Sequence, residues 1–355
     1  MATHRFFGDS WLGLCRKKGH QLTAQQLPGR RVGHSRGLLC LALLSLLCVG
    51  QDWPGSAAAW DNFGHMTVAA VAWQHLTPAA RAQASKLLRL NPDYAMWVSD
   101  AAPDQQDVIA FLRASTWPDA IKHEAGYIDD GEHPDSPETS QNIGYQDLHE
   151  HRYWHYVDVP FSADGTALPA VSAPNAATRI ADFRRVLADP GAPDSLRSYD
   201  LVWLLHLVGD IHQPLHAVSR FTRELPAGDI GGNRIRLCAS PCREELHFFW
   251  DEAVGRGGPT QARALARQLP TPAMKKIADT HIQDWVDESG QIARRSVYAP
   301  PIGPGAGPYA LTPAYRERAR MIARDQVALA GRRLAVLLNA ALAPDGAAPN
   351  PQGAQ

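Results

Sequence analysis

The chain has 355 residues, 45% hydrophobic and 20% charged, with 27 Pro and 28 Gly, which is the composition of an ordinary globular protein with enough length for a sizeable core. A formal net charge of −1 argues against a broad basic surface that tracks duplex phosphates, though not against a small nucleic-acid site. The unusual counts are ten Trp and fifteen His.

Residues 1–59 differ from the rest. Arg16, Lys17, Lys18, Arg30, Arg31 and Arg36 precede an apolar run from Gly37 to Val49, which is short for a bilayer span, and Ala57-Ala58-Ala59 follows. A basic segment, a short apolar segment and an A-x-A site are the parts of a secretory signal, with cleavage expected after Ala59. The alternative is an uncleaved membrane anchor. The leader holds seven of the Lys and Arg and two of the Asp and Glu, so 28 basic and 34 acidic side chains remain and the mature charge is −6. Cys15, Cys40 and Cys48 leave with it, so Cys238 and Cys242 become candidates for a short-loop disulfide in an oxidising compartment. Export favours zinc, calcium and hydrolytic chemistry over nucleotide-cofactor chemistry. The expected location is secreted or periplasmic.

Along the mature chain, apolar residues recur at three and four in Gly64–Gln74, Thr77–Leu90, Ala176–Leu187, Ser198–Ile211, Arg243–Val254, Gln261–Gln268 and Pro272–Gly290, and each is read as a helix. A final long helix is expected from Thr312 as N-cap and Pro313 in the first turn, with a stripe from Tyr315 to Leu338. Strand-like alternation is confined to Arg234–Cys238, a possible hairpin arm. The fold class is all-α, with one domain over 60–342. Two long loops, Glu124–Glu150 and Tyr298–Gly307, interrupt it, and 343–355 reads as a disordered tail.

The chemistry lies in the placement of His and Asp. His206 and Asp210 stand at i and i+4, so both project from one helix face, and His216 follows a helix-breaking Pro. His247 and Asp251 repeat the spacing on a second segment. Imidazole with carboxylate is a zinc ligand set, and i, i+4 offers two ligands to one ion. One such pair is more often a surface pair, and a buried His–Asp hydrogen bond is the plainer alternative. Two pairs in strongly apolar segments favour a metal. Trp60 stands at the expected cleavage site, where a free α-amino group (pKa ~8) can deprotonate and chelate zinc together with its own carbonyl. His65, Asp119 and His155 add further donors.

Taken in order, Trp60-x₄-His65, Trp117-x-Asp119-x₂-Lys122, Trp154-His155-Tyr156, His206-x₃-Asp210-x₅-His216, Gly231-Gly232-Asn233 and Leu246-His247-x₂-Trp250-Asp251 resemble the zinc-dependent single-strand nucleases of the S-one/P-one (S1/P1) type, whose fold is shared with zinc phospholipases C. The resemblance implies that fold, with loops around a cleft for three zinc ions. Asp119, His155, His206 and Asp210 would hold one ion. The Trp60 amine and carbonyl, His65 and the shared Asp210 would hold its neighbour, and His216, His247 and Asp251 the third. Such a cluster suits phosphodiester hydrolysis, which needs a hydroxide at neutral pH and compensation for charge on the phosphoryl oxygens.

The same resemblance makes Asp119, Lys122 and Asp210 catalytic and gives Lys122 a phosphate contact. It makes Tyr156 a stacking platform for an unpaired base, with Asp158 on the base edge and Asn233 as a second base contact. Core packing, a turn cap and a tight turn are the plain alternatives for these last three. Single-stranded DNA or RNA and nucleotides are the expected partners, with no membrane attachment of the mature form and a monomeric state. A phospholipase C is the second enzymatic reading; there the third site would end in Glu where this chain has Asp251. A non-catalytic zinc-binding surface protein is the reading from another class. His149 and His151 are expected to stay off the metals, and His212 to lie behind the ligands.

Overall fold

The computed structural model describes residues 60–131, 134, 141–238 and 244–343, all within one compact unit. The expected leader and Cys242 lie outside the described residues, as does the tail beyond residue 343. In chain order the helices are α1 (Asn62–His75), α2 (Pro78–Leu88), α3 (Tyr94–Trp97), α4 (Gln106–Ala114), α5 (Trp117–Ala120), α6 (Ala176–Leu187), α7 (Asp194–Asp210), α8 (Pro214–Ala217), α9 (Leu246–Asp251), α10 (Pro259–Ala266), α11 (Met274–Ile277), α12 (Ile282–Ile292) and α13 (Pro313–Ala341). The all-α expectation holds, and among the described residues only a two-stranded parallel sheet accompanies the helices.

Local chemistry fixes the helix starts. Asp61 caps α1 by accepting from the Gly64 amide, and Thr77 caps α2 ahead of Pro78. Asn175 and Thr178 form a reciprocal capping box on α6, and Thr312 accepts from the Tyr315 amide at the start of α13. Helix α7 is the centre of the molecule, since every residue from Ser198 to Asp210 is buried. A helix buried on all sides needs neighbours all round it. Contacts from α1, α2, α5, α6 and α13 supply them. Helices α1 and α13 approach closely at Gly331, where a Cβ would lie 2.5 Å from Val71 Cβ and 2.7 Å from the Val68 carbonyl oxygen.

The structure corrects several expected boundaries. Pro272–Gly290 is not one helix but α11 and α12. The break is an Asx turn in which Asp279 accepts from the His281 amide while its carbonyl accepts from Trp285 Nε1. Of the expected Arg243–Val254 helix only Leu246–Asp251 is helical. The preceding backbone pairs with the Arg234–Cys238 arm instead, through Leu237 N to Glu244 O at 3.1 Å and Leu246 N to Ile235 O at 2.9 Å. Helix α4 was not anticipated from the sequence, although it buries Val108, Phe111 and Leu112. Nor were strands β1 (Val159–Phe161) and β2 (Val218–Arg220), which pair with Val159 opposite Val218. Three residues are too short a run to show a period. The sheet matters because it ties the segment after His155 to the segment after His216. Among the described residues no helix is long and apolar enough to cross a membrane.

Candidate metal centre

Three groups of buried His and Asp side chains bring their donor atoms together: His65, His206 and Asp210; Asp119, His155 and His206; and His216, His247 and Asp251. All eight ligand side chains expected from the sequence are therefore in these groups, and Asp210 and His206 link the first two. Asp210 is fully buried. Its Oδ1 lies 3.3 Å from His65 Nε2, and its Oδ2 lies 3.1 Å from His155 Nδ1 and 3.2 Å from His206 Nε2. Asp119 Oδ1 lies 3.7 Å from both His155 Nδ1 and His206 Nε2.

Backbone geometry delivers these side chains. Helix α7 presents His206 and Asp210 one turn apart, and α1 brings in His65, whose ring stacks on His206 at 3.8 Å and 13°. Two glycines permit that approach. A Cβ on Gly209 would stand 2.9 Å from His65 Nδ1, and a Cβ on Gly64 would stand 2.7 Å from Trp60 Cβ. Trp60 itself is buried, and its indole Nε1 donates to the Gly209 carbonyl at 3.0 Å. The Asp61 amide donates to the Asp251 carbonyl at 3.3 Å, which draws the start of α1 to the third group.

Three imidazoles have one nitrogen committed to the backbone. His206 Nδ1 lies 2.8 Å from the Ser115 carbonyl, His216 Nδ1 2.7 Å from the His155 carbonyl and His247 Nδ1 2.6 Å from the Gly231 carbonyl. Each Nδ1 must carry its proton to donate there, which leaves Nε2 as the lone-pair nitrogen and fixes the ring for ligation. His216 Nε2 and His247 Nε2 then face each other at 3.1 Å, two acceptors with no proton between them. Their Asp251 partner is oriented by Gln213, whose Nε2 donates to Oδ1 at 2.7 Å.

This donor set fits metal cations. Both nitrogens of His65, Asp119 Oδ2, His155 Nε2, Asp210 Oδ1 and Asp251 Oδ2 are buried without a hydrogen-bond partner. An unsatisfied buried polar group costs about 1–3 kcal/mol, and more when charged. A cation among them removes that cost, as it removes the opposition of paired lone pairs. Burial pushes His65 down to about 4, and both His155 and His247 down to about 3, so each ring is neutral as ligation requires. Burial pushes Asp251 well above the carboxylate range. Burial acts in the same direction on Asp210, but the adjacent His206, His155 and His65 imidazoles hold it well below.

The expected substrate residues divide. Lys122 is buried beside the centre, and its Nζ donates to Asp119 Oδ1 at 2.8 Å. Tyr156 and Asp158 both line a cavity of about 480 Å³, together with Phe221, Ile230 and Arg234. Asp158 and Ile230 have φ of +54° and +52°, in the left-handed region that is uncommon for non-glycine residues. Asn233 does not line that cavity, and its side-chain amide donates to the Ile230 carbonyl at 2.8 Å. The turn it belongs to nevertheless joins cavity and centre. The Gly231 carbonyl oxygen accepts from His247, and a Cβ on Gly231 would meet the Leu215 carbonyl oxygen at 2.6 Å.

Sequence reasoning missed Gln213, Gly209, the Ser115 carbonyl and the Phe221, Ile230 and Arg234 walls. Gln213 and Gly209 flank ligands within the His206–His216 motif, so that motif was the available signal. His149 and His151 stay out of all three groups, and His212 points behind α7, with Nε2 2.9 Å from Arg333 Nη1.

The model of a protein family described as S1/P1 Nuclease matches residues 60–343. Among characterised proteins, the chain is 25% identical over 216 residues to Nuclease P1 of Penicillium citrinum, covering 59% of this chain and 65% of that protein. It is 28% identical over 227 residues to Endonuclease 1 of Arabidopsis thaliana, covering 62% and 60%. Nuclease S1 of Aspergillus oryzae is 24% identical over 238 residues, covering 64% and 67%. The chain thus spans slightly under two thirds of the first of these relatives.

The Gly209 contact gives a direct test of the His65 assignment. Gly209→Ala is expected to lower divalent-cation affinity at the Asp210 groups by about tenfold or more while the His216 group and the helix content stay unchanged, as followed by titration calorimetry and circular dichroism. Unchanged affinity in a folded variant would remove His65 from the ligand set.

Proposed function

The chain belongs to the S1/P1 nuclease family, and on that premise we propose that it is an exported, zinc-dependent endonuclease that hydrolyses phosphodiester bonds of single-stranded DNA and RNA to 5′-nucleotides, with 3′-nucleotidase activity as a companion. The observation that carries the reading is the convergence of three buried His and Asp groups beside a cavity walled by Tyr156 and Asp158. Three zinc ions are proposed, with the Trp60 amine and carbonyl completing the set around His65 and Asp210. When bound, zinc supplies Lewis acidity that lowers the pKa of water toward neutrality and offsets charge on phosphoryl oxygens.

The chain's own residues do the rest. Asp119 and Asp210 hold their carboxylates where cations are needed, and His206, His216 and His247 keep their rings aimed by donating to backbone carbonyls. Lys122 adds a compact positive charge within reach of a phosphate that approaches Asp119. Tyr156 offers a ring face to one base, a contact worth about 1–3 kcal/mol that accepts any base. Asp158 accepts from donors on the base edge. A base can reach both only when it is unstacked, which favours single strands over duplex.

Secretion follows from the leader, and the disulfide state of Cys238 supports a short bridge to Cys242 in an oxidising compartment. The mature form is proposed to be monomeric and free of membrane attachment.

The test compares denatured DNA, RNA and phosphatidylcholine as substrates for the chain beginning at Trp60. Release of 5′-nucleotides that chelator abolishes and zinc restores is expected, with duplex DNA cut much more slowly. Chelator-sensitive release of phosphocholine without nucleotide release would favour the phospholipase instead, and no hydrolysis would favour a binding protein. A second expectation concerns the amine. A form retaining one extra residue before Trp60 should bind less zinc and lose most of its activity, measured by metal analysis and nucleotide release. Full activity of that form would mean that the amine is not a ligand.

A further inference from the structure

His151 is a buried histidine, 2% exposed, that belongs to none of the three donor groups. Its two ring nitrogens face two carboxylates at ion-pair distance, Nε2 to Asp147 Oδ2 at 2.9 Å and Nδ1 to Asp130 Oδ2 at 3.3 Å. These are ion-pair distances without hydrogen-bond geometry, since His151 Nε2 and Asp130 Oδ2 have no hydrogen-bond partner, and two carboxylates against one buried ring favour its positively charged form. The remaining polar groups around it agree. Tyr153 Oη lies 3.3 Å from Nδ1, the His151 amide donates to Asp130 Oδ1 at 2.9 Å, and His149 binds the far side of Asp147, with Nδ1 2.9 Å from Oδ1. Arg152, the next residue, pairs with Glu150 and Asp129, and the Arg179 guanidinium lies 5.1 Å from the centre of the Trp154 ring.

This ring sits at the root of the turn that delivers His155. His151 has φ of +49°, and its carbonyl accepts from the Trp154 amide at 2.8 Å, which opens the short turn Arg152–Trp154 immediately before His155. The His151 ring stacks flat on Trp154 at 3.6 Å and 2°. Trp154 meets Trp203 edge-on at 4.9 Å, and Trp203 meets the His155 ring edge-on at 5.5 Å. A packed chain of rings therefore runs from His151 to a donor of the metal centre. The two carboxylates come from opposite ends of the long acidic loop, whose strands are joined by Ile128 N to Leu148 O at 2.7 Å and Glu150 N to Ile128 O at 3.0 Å.

We propose that His151, held as an imidazolium between Asp130 and Asp147, is a positioning residue that pins the Glu124–Glu150 loop and sets the ring of His155 for cation binding. Although burial opposes it, the pairing with Asp130 and Asp147 raises the imidazole above its ordinary 6.5. The sign follows from linkage. A raised histidine contributes stability that is complete below its unfolded value and is lost as pH rises through its folded value. The clamp is thus closed below the ordinary imidazole value and opens as pH rises through the raised one.

Two readouts on the full chain test this. In histidine-labelled, metal-free protein, the His151 ring should titrate above the ordinary imidazole range, and Asp147→Asn should move its midpoint to lower pH. Zinc affinity, measured by chelator competition across the same range, should show a loss that coincides with that midpoint and moves with it in Asp147→Asn. His151→Asn, whose residue tolerates the left-handed backbone, should weaken zinc binding about tenfold where the clamp is closed and abolish the step at the midpoint. A His151 ring that titrates below the ordinary range overturns the proposal. So does a zinc profile that stays fixed while the midpoint moves, since the residue would then serve only to pack the loop. Asp130→Asn gives the same comparison should Asp147→Asn not fold. Nucleic-acid cleavage enters neither readout, so a chain that cuts nothing still yields either answer.

Discussion

A carboxylate with no access to water stands at the middle of this molecule. Asp210 is fully buried at the end of the central helix, with imidazoles of His65, His155 and His206 within 3.3 Å of its two oxygens. An isolated charge in such a place is very costly, and the His65 and His155 rings, which burial keeps neutral, bring lone pairs as well as protons. Cations resolve the conflict for both partners at once. The architecture around α7 is what keeps water out and makes this demand strict.

Much of the surrounding structure serves to hold that arrangement. Backbone carbonyls of Ser115, His155 and Gly231 each accept a hydrogen bond from one ring's Nδ1–H, which leaves the lone pair of the opposite nitrogen for a cation. The glycines at 64 and 209 have no side chain where one would push Trp60 or His65 away. The parallel pair of short strands fastens the segment carrying Tyr156 and Asp158 to the one carrying His216, and the Val157 amide adds a bond to the His216 carbonyl at 2.8 Å. The cavity and the donor groups are thereby tied to one another, as the proposed function requires if a base in the cavity is to place a phosphate at the donor groups.

The donor groups were legible because helical spacing leaves a mark on the sequence. His206 with Asp210, and His247 with Asp251, carry their geometry in the i, i+4 interval, and Thr312-Pro313 announces a helix start by its chemistry. The extents of the helices were less legible. The Pro272–Gly290 segment keeps its apolar period through a break that depends on one Asp279 side chain, and the residues just before Leu246 were drawn into pairing with the nearby arm at Ile235 and Leu237. Short β1 and β2 carry no period at all. The cavity walls Phe221, Ile230 and Arg234 lie on a turn whose path is set by tertiary packing, and Asn233, read as a base contact, instead ties its amide to the Ile230 carbonyl. His151 shows the same limit. It was expected to stay off the metals, but its partners Asp130 and Asp147 could not be foreseen, because they come together only through the fold of a long loop.

Asp210 belongs to one donor group and its Oδ2 stands 3.1 Å from His155 of the next, so its removal is expected to affect both. The decisive measurement is the zinc content of the chain beginning at Trp60, determined by metal analysis after equilibration and gel filtration, beside that of Asp210→Ala. The account requires about three ions per chain in the parent and about one in the variant, retained by His216, His247 and Asp251. A folded Asp210→Ala protein that keeps two or more ions would contradict it.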